Sequence, residues 1–473
     1  MKTFIRYLGA LLVISALFRI VPIITAFVFD ESQLGFWVAA GISLLLGVAL
    51  ILIAHYWPKD KDLGLSLSGG LTLAALSFIL LPLIGALSYL PTLEYSFVDS
   101  LFESVSGFTT TGLTVYTDLD SLPRSLLIWR AMTQWIGGIG IVMVFLFILT
   151  RLRSHDYIKL SEVEERAQSA VSLYRSQGFT EKLTGGLKSS VSRVILIYLG
   201  YTLLGILLLY FSGLTLFESI GLSFTALSTG GFSMTNDFSF SGGTLGALML
   251  LMLLGSISFL AHNKLVLGKW KEFIYSFEKN VFLVLLTFAT LVTLLTHADL
   301  IVSFFMMVSA FTTTGYALGP ISVLPALFIF MVTIGMLVGG SFASTSGGMK
   351  IYRIYYLFRA IPWSIKKLSS PAQAVIPFKV HDQEVDEAKL ANIGIFLFAY
   401  ILILAIGIIV FMIFDYSFLD SSFQMISALG TVGLQSTDIL ALNPLLKSLL
   451  MVAMLLGRLE IFPIFILIRN IFK

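Results

Sequence analysis

Four short turns constrain what this chain can fold into more than any other feature of its sequence. Each follows an amphipathic segment, is built from small polar residues, and ends in a glycine followed by one bulky apolar residue. A threonine stands two places before that glycine in every copy. The copies, turns 1 to 4, occupy residues 107–113 (GFTTTGL), 226–232 (ALSTGGF), 310–316 (AFTTTGY) and 428–434 (ALGTVGL). A single turn of this kind is an ordinary loop sequence, but four aligned copies indicate an internal repeat.

The composition places these turns in a membrane protein. Apolar residues make up 57% of the 473 residues, charged residues only 12%, and the mean hydropathy is +0.94. A hydrocarbon core about 30 Å thick needs roughly 20 apolar residues per helix, which divides the chain into about ten spans. We predict them at residues 8–29, 35–56, 65–90, 124–150, 192–211, 243–262, 281–298, 323–357, 390–414 and 444–470. A signal peptide is the alternative for the first span, because Lys2 and Arg6 precede it, but no small-residue cleavage site follows.

Several function classes are excluded or disfavoured by the same sequence. It contains no cysteine, which excludes disulfides, thiolate metal sites and a cysteine nucleophile. It contains no glycine-rich nucleotide-binding motif, and its net charge of +3 is too small to indicate a nucleic-acid partner. We therefore expect a protein that is not an enzyme and that holds no organic cofactor.

The charge of the connecting segments indicates their side of the membrane. Lysine and arginine concentrate in residues 57–64, 151–191, 263–280 and 350–389, whereas the intervening connections are acidic or neutral. Because cytoplasmic loops carry the excess of basic residues, both termini are predicted to be cytoplasmic and all four turns to lie on the outer side. His262, where its span reaches the cytoplasmic side, is expected to be an interfacial residue.

The segments that lead into the turns are too short to cross the bilayer and are predicted to be re-entrant helices. They cover residues 99–108, 218–227, 302–311 and 420–429. A serine stands twelve places before each turn glycine, and we expect its hydroxyl to cap the helix N-terminus. These serines are Ser100, Ser219, Ser303 and Ser421. The negative ends of the four helix dipoles would then point toward one centre and favour a cation there.

The residue types in the turns suit the binding of a cation that has left water. Backbone carbonyls replace its hydration shell, glycine permits close approach, and threonine adds a hydroxyl without charge. The predicted ion ligands are Thr110, Thr111, Gly112, Thr229, Gly230, Gly231, Thr313, Thr314, Gly315, Thr431, Val432 and Gly433. Because the residue before the glycine differs among the turns, we expect selectivity to rest on backbone carbonyls.

The predicted fold class is an all-α polytopic membrane protein with four repeats around one central pore. Each repeat consists of a span, a re-entrant helix, a turn and a second span. We place an N-terminal helical hairpin at residues 1–60. Repeat 1 follows at 61–152, repeat 2 with its cytoplasmic loop at 153–280, repeat 3 at 281–368 and repeat 4 at 369–473.

A run of small residues interrupts the eighth predicted span. It contains four glycines and four Ser or Thr residues, and glycine costs roughly 1 kcal/mol in a helix interior relative to alanine. We predict that the run unwinds; close helix packing through small residues is the alternative. Its members are Gly339, Gly340, Ser341, Phe342, Ala343, Ser344, Thr345, Ser346, Gly347 and Gly348.

Two of the arginines that lie within predicted spans carry specific expectations, because an arginine in the middle of a span costs about 3 kcal/mol on insertion scales. Arg458 is expected to place a positive charge in the pore; the alternatives are a structural pair with Glu460 and snorkelling of the side chain near the cytoplasmic end. Arg130 is expected to pack or to form an ion pair near the outer end of its span, with Glu103 or Asp99.

Nearly the whole chain resembles the Trk/Ktr/HKT superfamily of cation transporters and is closest to its TrkH branch. Besides the turns, the resemblance rests on residues 129–140 (WRAMTQWIGGIG), 338–350 (VGGSFASTSGGMK) and 457–462 (GRLEIF), and on the two additional N-terminal spans. In that superfamily a glycine in every turn accompanies potassium selectivity, and all four glycines are present here. Turns 2 and 4 depart from the Thr-Thr-Gly pattern, which leaves the strength of selectivity open.

The resemblance also implies a mechanism and partners. It implies K⁺ ions held in the turns, a gate formed by residues 339–348 with Arg458, a homodimer, and a cytosolic ring of TrkA-like nucleotide-binding subunits. We therefore expect potassium uptake across a bacterial cytoplasmic (inner) membrane. The membrane potential would drive this uptake, and coupling to another ion is left open. The alternatives are the potassium-translocating membrane subunit of an ATP-driven pump, and a less selective channel for Na⁺, K⁺ or ammonium.

Overall fold

The computed structural model describes residues 1–57, 65–90, 96–154, 187–237, 240–371, 373–380 and 383–472, with side chains described outside 148–154, 187–190 and 383. In this part of the chain the regular structure is helical apart from one short antiparallel ribbon, β1 (Lys379–Val380) with β2 (Gln383–Glu384). The all-α prediction is therefore confirmed. The basic stretches predicted within residues 58–64 and 155–186, and with them the boundary between the hairpin and repeat 1, lie outside the described residues.

The N-terminal hairpin consists of α1 (Lys2–Phe18), α2 (Ile20–Val28) and α3 (Leu34–Tyr56), with α1 packed along α3. Helices α1 and α2 together form one candidate span. Arg19 stands between them, fully buried, and its guanidinium lies 4.8 Å from the ring centre of Trp129. The first predicted span is thus a helix pair that packs against the pore repeats.

Each repeat contains an entering helix, a twelve-residue helix, a turn and an exiting helix. The entering helices are α4 (Leu67–Gly85), α7 (Leu187–Phe211), α12 (Phe277–Leu294) and α16 (Glu387–Ile413). The twelve-residue helices, called pore helices below, are α5 (Phe97–Phe108), α8 (Leu216–Leu227), α13 (Leu300–Phe311) and α17 (Phe418–Leu429). The exiting helices are α6 (Arg124–Ser154), α9 (Gly242–Ser256), α14 (Ala326–Val338) and α18 (Pro444–Arg458).

The exiting helices continue in different ways. Helix α6 is unbroken over 31 residues. Helix α9 bends by 99° into α10 (Phe259–Val266), which α11 (Trp270–Ile274) follows, and α18 bends by 106° into α19 (Phe462–Ile471). Helix α14 ends before a non-helical stretch, and α15 (Ile351–Leu368) follows it. The unwinding predicted for residues 339–348 is therefore observed, whereas the continuous spans predicted at 243–262 and 444–470 are wrong.

Backbone geometry gives the reason for the second of these breaks. Glu460 and Ile461 have positive φ angles of 56° and 67°, which an α-helix cannot accommodate. The sequence of residues 444–470 does not reveal this break, because the segment is predominantly apolar and hydropathy carries no information about backbone conformation.

Among the described residues, seven helices are long and apolar enough to cross a membrane, or up to nine if each bent pair counts as one span. The eighth predicted span, at residues 323–357, corresponds to α14 and α15. Helix α14 has only 13 residues, which is too short to cross a hydrocarbon core alone.

The four repeats close into a ring in chain order. The exiting helix of each repeat packs on the pore helix of the next: α6 on α8, α9 on α13, α14 on α17, and α18 back on α5. This cyclic packing brings the four turns to one axis and buries their threonines completely. The helices of residues 1–57 are not part of this cyclic packing and lie against the pore repeats.

Candidate functional site

The four pore helices begin with side-chain caps. The hydroxyls of Ser96, Thr215 and Ser417 each accept a hydrogen bond from the backbone N–H three residues later, and the Asp299 carboxylate accepts from two N–H groups. The prediction that Ser100, Ser219, Ser303 and Ser421 are the caps is wrong, because each lies four residues farther along, buried inside its helix.

The sequence did contain a signal for the observed caps. Ser96 and Thr215 are each followed three residues later by an acidic residue whose side chain accepts from the cap backbone N–H. This reciprocal capping box is readable from sequence. All four pore helices begin two residues closer to the N-terminus than predicted, and in repeats 1 and 2 the capping box marks this start.

The four turns share one backbone conformation. In each, the threonine two places before the glycine has a left-handed φ, as does the glycine itself. The threonine φ angles are 52° at Thr110, 53° at Thr229, 56° at Thr313 and 48° at Thr431; the glycine values are 91°, 77°, 89° and 98°. The N–H between them donates to a pore-helix carbonyl five residues earlier at 2.8–2.9 Å in all four copies. Local sequence thus produces four equivalent turns.

The turns meet at their glycines. A Cβ placed on Gly112 would lie 2.2 Å from the carbonyl oxygen of Gly230, and equivalent close approaches link each turn to the next. They are Gly231 to Thr314 O at 1.9 Å, Gly315 to Val432 O at 1.9 Å and Gly433 to Thr111 O at 2.3 Å. Since real Cβ contacts are never this short, only glycine fits at these positions. The four turns that carry the predicted ion ligands therefore form one closed ring.

A cavity of about 620 Å³ opens over this ring, and all four turn glycines line it. Arg130 also lines the cavity and forms a buried ion pair with Glu103 at 2.7 Å, which confirms one of its two predicted partners. The loops around the mouth are joined by polar contacts. Hydrogen bonds from Asn236 and Ser121 lower the pKa of Asp118 there.

The other predicted partner, Asp99, pairs elsewhere. Its carboxylate lies 2.5 Å from Lys447 Nζ in a largely buried contact between α5 and α18. This ion pair ties repeat 4 to repeat 1, the one junction of the ring whose members are far apart in sequence.

The small-residue loop, residues 339–348, lies against the opposite side of the ring from the cavity, and all ten of its residues are buried. The Gly347 N–H donates to Thr313 Oγ1 at 2.7 Å, and the Gly348 N–H donates to the Gly430 carbonyl at 3.0 Å. Thr345 Oγ1 donates to carbonyls of repeat 2 at 3.0 and 2.9 Å. The loop is thus hydrogen-bonded to the turns of three repeats or to the pore helices that lead into them.

Arg458 holds this loop from below. One terminal nitrogen donates to the Thr345 carbonyl at 2.5 Å, and the other donates to the Gly137 carbonyl at 3.0 Å. Glu460, the alternative partner, instead pairs with Arg353 at 2.5 Å. Arg458 therefore bridges repeat 4, the loop and repeat 1, without a carboxylate partner among these contacts.

Glycines in the exiting helices form a second set that the sequence reading missed. A Cβ on Gly137, Gly255 or Gly457 would come within 1.9–2.3 Å of the last carbonyl of its own pore helix, and one on Gly335 would meet the Phe311 ring at 2.8 Å. Their spacing of 20 to 25 residues after each turn glycine was the available signal.

His262 occupies a different environment from the one predicted. It is fully buried, and its ring nitrogens lie 3.0 Å from the Tyr201 hydroxyl and 3.0 Å from the Leu254 carbonyl. Helix α9 ends at Ser256, which leaves the Leu254 carbonyl without its intrahelical partner. The bend after α9 is not apparent from the sequence. Because of it, His262 is buried against the end of α9 and is not exposed, as an interfacial residue would be.

The comparison with known proteins agrees with this architecture. The family model for TrkH, described as a cation transport protein, matches residues 48–302 and 274–472, which together make up most of the chain. The chain belongs to the TrkH family. This confirms the resemblance found in the sequence.

Individual members of the TrkH family align over the full length. The chain is 30% identical to the Trk system potassium uptake protein TrkH of Halomonas elongata, covering 100% of this chain and 99% of the relative. It is 29% identical to an uncharacterized cation transporter of Methanocaldococcus jannaschii, covering 99% and 95%. The crystal structure of the potassium transporter TrkH from Vibrio parahaemolyticus has the same fold, with a TM-score of 0.81, 24% identity and 98% of both chains covered.

Proposed function

We propose that this TrkH family member takes up potassium across the bacterial cytoplasmic membrane through the ring of four turns. The observation that carries the proposal is the closed ring itself, in which four turns of equal backbone conformation approach one axis. Such a ring offers carbonyl oxygens from four sides in place of the hydration shell of one cation. The relative from Halomonas elongata is named a potassium uptake protein.

The arrangement requires no energy source within the chain. The C-terminal ends of four pore helices lie at the turns, and their partial negative charge favours a cation there. One elementary charge moved through 100 mV gains about 2.3 kcal/mol, which concentrates the ion inside a negative cell. Coupling to a second ion is compatible with the same path.

The small-residue loop and Arg458 are the proposed gate. The loop is bonded directly beneath the turns, and Arg458 adds a positive charge that opposes a cation on the same path. Deleting residues 341–346 is expected to raise basal flux, because it removes these contacts and opens space. An unchanged flux in a correctly folded deletion variant would assign the loop to packing alone.

The proposed orientation places the turns outside and both termini in the cytoplasm. The described basic residues Lys269, Lys271, Lys366 and Lys367 follow the helix breaks, beyond the loop and away from the cavity. A cytosolic ring of nucleotide-binding subunits would dock on this side, and we propose a homodimer as the assembly. The family relationship supports both proposals.

A less selective channel for Na⁺ and K⁺ is the second candidate. The observation that favours it is the inequality of the turns: a glycine and a valine precede the turn glycine in turns 2 and 4, where turns 1 and 3 have threonine.

Rubidium and sodium flux into liposomes containing the purified protein tests both candidates. Potassium uptake predicts strong rubidium flux and little sodium flux, and Gly112→Ser is expected to admit sodium. Gly213→Ser is the matched control, because Gly213 also has a positive φ, 107°, but no neighbour within 4 Å of its Cβ position. Equal selectivity in wild type and Gly112→Ser would remove the ring from ion selection, and absence of any cation flux would refute transport.

A further inference from the structure

Gly230, which precedes the glycine of turn 2, is a glycine for a reason other than backbone conformation. Its φ lies outside the left-handed region, unlike that of Gly231 beside it. The equivalent positions in the other turns carry side chains, Thr111, Thr314 and Val432. The backbone of turn 2 would therefore accept a side chain here.

The space for that side chain is occupied by Gln134 of α6. A Cβ on Gly230 would lie 2.4 Å from both the Gln134 side-chain carbon Cδ and its Oε1. Gln134 is fully buried and reaches turn 2 because α6, from repeat 1, packs on the pore helix of repeat 2. One residue from the neighbouring repeat thus supplies the volume that turn 2 lacks.

Gln134 also bonds to turn 2 on both sides of its glycine. Its Nε2 donates to the Gly230 carbonyl at 2.7 Å, and its Oε1 accepts from the Phe232 N–H at 3.1 Å. In turns 1 and 3 the threonine before the glycine bonds instead to a threonine of its own repeat, with Thr109 and Thr111 hydroxyls 2.8 Å apart. Turn 2 is therefore held from outside its repeat.

The other exiting helices carry no such group. Counted from the glycine that contacts the pore helix, the positions equivalent to Gln134 are Met252, Val332 and Met454, all buried and apolar. The glutamine occurs only in the helix that packs against the turn whose side chain is missing. The polar side chain of Gln134 and the missing side chain of Gly230 therefore complement each other.

We propose that Gln134 is a selectivity-determining positioning residue that fixes the carbonyl of Gly230 in the ring. This rests on the proposed function of the ring as the ion path. The Gly230 carbonyl is the one that approaches Gly112 most closely, so its position sets the junction between turns 1 and 2. The Gln134 side-chain amide makes two hydrogen bonds and so holds the Gly230 carbonyl at a fixed distance from the ion. This distance affects selectivity because sodium and potassium require binding cavities of different size.

Gln134→Met tests the proposal with side-chain length kept and both hydrogen bonds removed. We expect the preference for rubidium over sodium flux to fall by about tenfold, the order of two lost buried hydrogen bonds, while rubidium flux persists. Gln33→Met, at the partly exposed end of α3, is the control and should keep the wild-type ratio. Size-exclusion chromatography in detergent verifies that each variant folds.

A second pair of variants tests the complementarity directly. Gly230→Thr should lose flux or folding, because the new side chain overlaps Gln134, and Gln134→Ser with Gly230→Thr should restore both flux and rubidium preference. A folded Gln134→Met variant with wild-type selectivity, or a Gly230→Thr variant as active as the double variant, would overturn the proposal. Measuring the wild type alongside separates the proposed function from the proposed role of Gln134. If the wild type shows no cation flux, the proposed function is refuted, whatever the variants show.

Discussion

The turns and the exiting helices differ in how closely the four repeats resemble one another. In the turns, backbone angles and hydrogen bonds to the pore helices repeat nearly unchanged around the ring. On the loop side, one exiting helix is continuous, two are bent by about a right angle and one gives way to the small-residue loop. The proposed function accounts for this difference: one ion would contact all four turns, which requires them to be equivalent, whereas the proposed gate requires at least one element that differs.

The ring of turns and the small-residue loop are also held by different kinds of interaction. Neighbouring turns contact each other through backbone atoms at their glycines. These contacts leave no space for an added side chain. The loop also packs closely at Gly347, where an added Cβ would lie 2.2 Å from the Gly430 carbonyl oxygen. Many of its other contacts are hydrogen bonds, including those of Thr345 and Arg458, which can be exchanged for water or other partners. We therefore expect substitutions in the ring to lose flux and substitutions beneath it to gain flux.

The largest loss is expected for Gly315→Ala. The added methyl group would lie 1.9 Å from the Val432 carbonyl oxygen at a φ of 89°, and we expect a cost of about 3 kcal/mol with loss of rubidium flux. Flux and thermal stability in detergent are the measurements. Gly213→Ala has the same kind of backbone strain in open space and should cost about 1 kcal/mol without loss of flux. Equal behaviour of the two variants would contradict the ring contacts.

Lys447→Met is expected to destabilise the protein by about 3 kcal/mol, because it leaves the Asp99 carboxylate without its cation where repeats 1 and 4 meet. The fraction of protein that remains monodisperse after heating measures this. The matched control is Lys269→Met, which breaks the exposed pair with Glu272 and should cost about 0.5 kcal/mol or less. If both variants resist heat equally, the ring closure does not depend on the ion pair.

Arg458→Met is expected to raise basal rubidium flux by about tenfold. It removes two charged hydrogen bonds, to the loop and to α6, that hold the closed arrangement, each worth about 1.5–3 kcal/mol and partly replaced by water. Arg469→Met, on the exposed end of α19, is the control. Reduced flux in Arg458→Met would show that the arginine supports the conducting structure and does not act in closure.

The smallest effect is expected for Thr345→Val, which keeps the side-chain volume and removes hydrogen bonds to the Leu227 and Gly255 carbonyls. Basal flux should rise about threefold, the equivalent of a fraction of one buried hydrogen bond. Thr287→Val, whose hydroxyl bonds only within its own helix in the described contacts, should leave flux unchanged. A flux below wild type would show that the loop supports the open ring.

Sequence reasoning succeeded where the cause was local. The turns, the pore helices, the unwound loop and the pairing of Arg130 with Glu103 follow from residue types within one repeat or from a buried charge that requires a partner. Domain boundaries and the roles of the turn residues in ion selection stay predictions. The caps were assigned four residues too late because each pore helix has two polar positions that suit a cap, and in repeats 1 and 2 the capping box distinguishes them.

What the sequence by itself determined is the repeated unit: four turns whose left-handed threonines and glycines adopt one conformation because each is bonded to its own pore helix. What only the tertiary structure decided is how the units meet. The order of the ring, the bends of α9 and α18, and the contact of Gln134 with Gly230 depend on residues about 100 or more positions apart, or on backbone breaks within apolar segments. Hydropathy and local propensity carry no information about such contacts, because these contacts exist only after neighbouring repeats have packed.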